Sequence, residues 1–66
     1  MIQASKFLKE YIKSQKSIEE FAGDLEVTRQ TIYNVLSGEN VSSDMVAKLL
    51  NKSGFEFEKA FEVQED

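Results

Sequence analysis

Arg29, Gln30 and Asn34 carry the side chains of this sequence best suited to reading a flat surface patterned with donors and acceptors. A guanidinium can bridge O6 and N7 of guanine, and a carboxamide can bridge N6 and N7 of adenine, each through two hydrogen bonds. Beside them, Thr28 and Thr31 offer groups suited to phosphate or to a thymine methyl, and Tyr33 can pack on a sugar or donate to a phosphate. Polar residues on a helix are more often an ordinary solvated face. The surrounding elements therefore decide which reading applies.

The apolar spacing supplies those elements. Ile32, Val35 and Leu36 form a helical stripe that turns Gln30, Tyr33, Asn34 and Ser37 outward. This helix is expected to start at Thr28, whose hydroxyl can cap it, and to stop before Gly38, a residue suited to a left-handed exit. The helix before it starts at Ser17, with Glu20 three residues later completing a capping box. Its inward residues are Phe21, Ala22 and Leu25, with Ile18 a turn earlier. A first helix is expected over about Ala4 to Ser14, with Phe7, Leu8, Tyr11 and Ile12 inward. Lys6, Lys9, Lys13 and Lys16 then lie on its opposite side, either as a solvated face or as phosphate contacts.

A fourth helix starts at Ser42 or Ser43 and ends at Ser53-Gly54. Asp44 sits near its positive end, and Met45, Val46, Leu49 and Leu50 point inward. From Phe55 onward two patterns compete. Phe55, Phe57, Phe61 and Val63 share one side of a period-two strand, whereas Phe57, Ala60 and Phe61 fit a short helix. A lone strand would lack a partner unless another chain supplied one, so the short helix is preferred.

Two helices crossing steeply over a tight turn need a small residue at their closest approach and apolar residues toward the core. Ala22 supplies the first, and Phe21, Leu25, Val27, Ile32 and Val35 the second, at the spacing of a helix-turn-helix over about residues 17–37. The stretch SIEEFAGDLEVTRQTIYNVLSGEN resembles the helix-turn-helix of the phage repressor and Cro type, the XRE family. MVAKLLNKSGFEFEKAF resembles that family's fourth helix, connecting turn and short fifth helix, so the resemblance spans about residues 4–61. It implies an all-α fold, a compact bundle of about five short helices in one domain, 1–66. It also implies a cytoplasmic transcriptional regulator that binds double-stranded DNA, commonly as a homodimer on a two-fold operator. By position, Arg29, Gln30 and Asn34 match the family's base-contacting residues. Two residues depart from the pattern. Glu26 stands where the family usually has Gly, in a turn position whose left-handed backbone costs a non-Gly residue roughly 1–2 kcal/mol. Ile18 stands where many relatives have a polar, phosphate-contacting side chain. Gly23 is unusual inside a helix, where it costs about 1 kcal/mol against Ala.

Composition sets the outer bounds. The chain has 66 residues, no Cys, no His, no Pro and three Gly. A disulfide framework is excluded, a zinc site is not expected, and helices are favoured over a turn-rich β fold. No cofactor is implied. There is no glycine loop for phosphate and no Ser-based triad, and Glu19 and Glu20 are adjacent and point to different sides of a helix, so no enzyme is expected. No stretch reaches the roughly 20 apolar residues of a membrane span, and MIQASKFLKE does not read as a signal peptide.

The net charge is −4, which favours a protein partner over DNA. The acidity is concentrated, however. Residues 1–18 carry +3, residues 56–66 carry −4, and residues 1–55 hold seven charges of each sign. The acidic end, 62–66, is either a solvating tail or a dock for a basic partner. Phosphate contacts are expected from Lys16, Ser17, Asn40 and Ser42, with Lys13 beside them, and from helix N-termini. Phe55, Phe57 and Phe61 either complete the monomer's core or form part of a homodimer contact. The rival function is a protein-interaction module on the same scaffold, an antirepressor or antitoxin that binds another regulator.

Overall fold

A computed structural model describes residues 1–65. The elements run β1 (Ile2–Ala4), α1 (Lys6–Lys13), α2 (Ile18–Asp24), α3 (Arg29–Leu36), α4 (Ser43–Ser53), α5 (Phe57–Ala60) and β2 (Phe61–Val63). The five expected helices are present, so the fold is mostly helical. A two-stranded antiparallel sheet is added to them, pairing Ile2 with Val63, Gln3 with Glu62 and Ala4 with Phe61. Asp66, the last residue of the acidic end, lies outside the described residues. No helix among those described is long and apolar enough to cross a membrane.

Side-chain caps set the helix starts. Ser5, Ser17, Thr28 and Ser42 each sit in extended backbone and accept a hydrogen bond from the N–H three residues on, at Leu8, Glu20, Thr31 and Met45. Each satisfies a donor that the helix itself leaves open. Ser42, not Ser43, is therefore the cap of α4. The first helix is shorter than its apolar spacing suggests, because Ser5 caps it and the residues before Ser5 are in the sheet. Ser5 is buried. Its Oγ also donates to the Lys59 carbonyl at 2.6 Å, and its N–H donates to the Ala60 carbonyl at 2.8 Å. These two bonds join the start of α1 to the end of α5.

Residues 55–63 contain both rival structures in succession. The short helix occupies Phe57–Ala60 and the strand follows at Phe61–Val63. The strand finds its partner inside the chain, at the N-terminus, so no second chain is required. On its other side β1 meets the segment after α3. Val41 N donates to the Ile2 carbonyl at 2.8 Å, Ile2 N donates to Asn40 Oδ1 at 2.9 Å, and Gln3 Nε2 donates to the Gly38 carbonyl at 2.6 Å.

The core gathers one or more residues from every helix and both strands. Leu8, Ile12, Ile32 and Leu49 are fully enclosed, with Phe21, Ala22, Leu25, Val35, Val41, Met45, Ala4, Ala60 and Phe61 around them. Ala22, the small residue expected at the helix–helix approach, is 2% exposed. Phe7 departs from the expected inward set of α1, being 47% exposed. The ammonium groups of Lys6 and Lys59 each lie 5.4 Å from its ring centroid, which covers part of the ring with charge rather than with core. Phe61 is buried, and Phe55 and Phe57 are half-buried. Phe57 stacks on Phe61 at 5.5 Å, and Phe55 meets Tyr11 edge-on at 5.5 Å. The three rings are packed on the monomer's own core, and Phe61 has no face left for a dimer contact.

Candidate nucleic-acid interface

The segment between α2 and α3 is built by a left-handed residue. Glu26 has φ 59°, the only non-Gly residue with positive φ among those described. Its N–H donates to the Gly23 carbonyl and the Val27 N–H donates to the Ala22 carbonyl, both at 3.0 Å. This pair of bonds is the Schellman ending of a helix, with Glu26 in the position that Gly usually fills. It ends α2 and turns the chain within four residues, so that Thr28 can cap α3. Gly23 itself is in ordinary helical backbone, and a Cβ built there would meet nothing within 4 Å.

α3 buries Ile32 and Val35 and half-buries Leu36. Arg29, Gln30, Tyr33 and Ser37 are exposed on its other side, with Thr31 and Asn34 half-buried between. This is the face expected from the apolar stripe. The residues on it are tied to one another. Thr28 Oγ1 and Thr31 Oγ1 are 3.0 Å apart at the helix start. One turn later the Gln30 and Asn34 amides meet at 2.8 Å, and Ser37 Oγ donates to the Asn34 carbonyl at 2.9 Å.

The far end of α3 repeats the ending of α2. Gly38 has φ 89°, Gly38 N donates to the Val35 carbonyl at 3.2 Å, and Glu39 N donates to the Asn34 carbonyl at 3.1 Å. The chain therefore folds back over the last turn and brings the Glu39 carboxylate beside Asn34 and Ser37. Oε2 accepts a long contact of 3.4 Å from Ser37 Oγ. The left-handed exit at Gly38 was expected, but Glu39 was not, because a residue beyond the helix lies outside the stripe. The available signal was Gly38 followed by an acidic residue, since a left-handed Gly returns the next residue toward the helix it has just left.

The residues expected to touch phosphate are divided among several duties. Lys16 and Ser17 line one surface depression of about 320 Å³ together with Glu20 and Asp24. Ser17 Oγ accepts from Glu20 N at 3.2 Å, half of the expected capping box. The returning bond from the Glu20 carboxylate is not formed among the described residues. Lys13 and Lys16 are exposed. Asn40 holds β1 through Ile2 N, and Ser42 holds the first turn of α4, so both side chains already have structural partners. Arg29 is the one cation of α3, and Glu26 and Glu39 flank the helix in sequence. The face is polar and rich in amides without being basic. No protein-family model, curated protein or solved structure matches the chain.

Proposed function

We propose that this chain is a sequence-specific DNA-binding transcriptional regulator of the phage repressor and Cro type, with α2 and α3 as its helix-turn-helix and α3 as the recognition helix. The observation that carries the reading is the outward face of α3. Arg29 and Gln30 stand at its capped N-terminal end and Asn34 one turn along, on a helix anchored from behind by Ile32 and Val35. In this motif that end enters the major groove, where a guanidinium and two amides have base-edge partners. Lys13, Lys16, Ser17 and the open N–H groups at the start of α2 serve as phosphate contacts beside it. A single helix covers few base pairs, so the reading includes a homodimer on two half-sites.

The test is selection of bound duplexes from a random pool, repeated with Arg29→Ala. The expected result is an enriched motif that loses its preference at one or two base pairs in the variant, at a cost of about 1–3 kcal/mol. Lys16→Ala should instead weaken all sequences nearly equally. A sequence preference untouched by Arg29→Ala would overturn the assignment of α3.

One observation favours the second reading, a protein-interaction module that binds another regulator. Carboxylates at Glu26 and Glu39 bracket a helix with a single cation, and the acidic end carries more. Absence of duplex binding at low salt, with capture of a basic protein partner, would select it.

A further inference from the structure

We propose that Glu39 sets the hydrogen-bonding polarity of the two base-reading amides, Asn34 and Gln30, and thereby the bases they select; this rests on the DNA-binding reading above. The near atom of the Asn34 amide lies 3.0 Å from Glu39 Oε2. An ionised carboxylate only accepts, so the atom facing it is the amide nitrogen. Amide oxygen and nitrogen are told apart by such partners. The same nitrogen is 3.2 Å from the Gln30 backbone carbonyl and 2.8 Å from the end of the Gln30 amide, which must therefore meet it with oxygen. Polarity runs along the helix as a relay. Glu39 accepts from Asn34, Asn34 donates to Gln30, and both hydrogens of the Asn34 nitrogen are committed.

What faces outward follows from that relay. Asn34 offers Oδ1, an acceptor without its donor companion, and Gln30 offers its NH₂, a donor without its acceptor companion. The two-bond contact with adenine needs both atoms of one amide. Asn34 held by Glu39 cannot make it without breaking the relay. It reads instead the exocyclic amino group that cytosine and adenine both present, and Glu39 itself favours cytosine N4 over any keto group. Removing the carboxylate frees one hydrogen of the Asn34 nitrogen, the other staying on Gln30, and so makes the adenine contact possible.

The experiment is duplex selection from a random pool with the wild type, Asn34→Ala and Glu39→Ala. Asn34→Ala identifies the base pair that Asn34 reads. The wild type should accept cytosine and adenine there within about threefold of each other, and Glu39→Ala should favour adenine over cytosine by roughly five- to a hundredfold. Glu39 is exposed, and an unchanged circular-dichroism melt establishes that the variant folds. Glu39→Met, of similar length and without an oxygen to accept from the Asn34 nitrogen, carries the same expectation if the alanine variant does not fold. An unchanged base order in both variants, or a wild type that already prefers adenine by that margin, overturns the role of Glu39 and leaves the DNA reading standing. A wild type that enriches no duplex overturns the DNA reading, and this inference with it.

Discussion

Replacing Glu26 by Gly should stabilise the protein. Glu26 holds φ 59° between α2 and α3, in the Schellman position where Gly is the usual residue. A left-handed conformation costs a residue with a Cβ roughly 1–2 kcal/mol. A carboxylate at a helix C-terminus adds about 0.3 kcal/mol or more, because that end carries partial negative charge. Against these gains, Gly loses more backbone freedom on folding, by roughly 0.5–1 kcal/mol. Glu26 is exposed and makes no side-chain hydrogen bond or ion pair among the described residues, so little packing is forfeited. The balance is a gain of about 1 kcal/mol, which in a domain of this size raises Tm by roughly 4–8 °C. Thermal unfolding followed by circular dichroism measures it. Glu26→Asn should gain less, since Asn tolerates the conformation without removing the Cβ, and Glu26→Val should lose stability. A Tm that is unchanged or lower in Glu26→Gly, with Glu26→Val no worse than the wild type, would refute the claim that this residue is strained.

Three further outcomes are expected. Gly23→Ala should stabilise α2 by about 0.5–1 kcal/mol, since the position is helical, exposed and open around a new Cβ, and a urea melt would show the midpoint rising. Ser5→Ala should cost about 2 kcal/mol in the same melt, because it removes the cap of α1 and leaves the Lys59 carbonyl without its hydroxyl donor. Duplex affinity should fall with salt along a shallow slope of about −2 to −4 in log–log form, as about two to four neutralised phosphates would produce, and fluorescence anisotropy at several salt concentrations reads it directly.

The helices were legible in the sequence because their determinants are local. Ser17, Thr28 and Ser42 each precede an apolar stripe by the distance a cap requires, and Gly38 and Gly54 mark the exits with left-handed backbone. The strained turn at Glu26 was legible too, as a non-Gly residue where the turn requires positive φ. The sheet was not, because its information is non-local. Ile2–Ala4 is too short for a period to register, and its partner Phe61–Val63 lies at the other end of the chain. That pairing explains why the apolar residues from Phe55 onward fitted two periods, since a helical turn and a strand share the segment. Phe7 was placed inward by spacing and stands outward, with the Lys6 and Lys59 ammonium groups over its ring. On the candidate site, Arg29, Gln30 and Asn34 share the face of α3 that Ile32 and Val35 predict. Asn40 and Ser42 turned out to hold β1 and α4, and Glu39 entered only through the fold-back at Gly38.

The outward face of α3 is tested most directly by following backbone amide resonances of the ¹⁵N-labelled protein while a short mixed-sequence duplex is added at low salt. The account predicts shifts that cluster on Thr28–Ser37 and at the start of α2 around Ser17, with α4 and the acidic end unmoved. No shifts at low salt, or shifts centred on α4 and α5 with α3 silent, would contradict it.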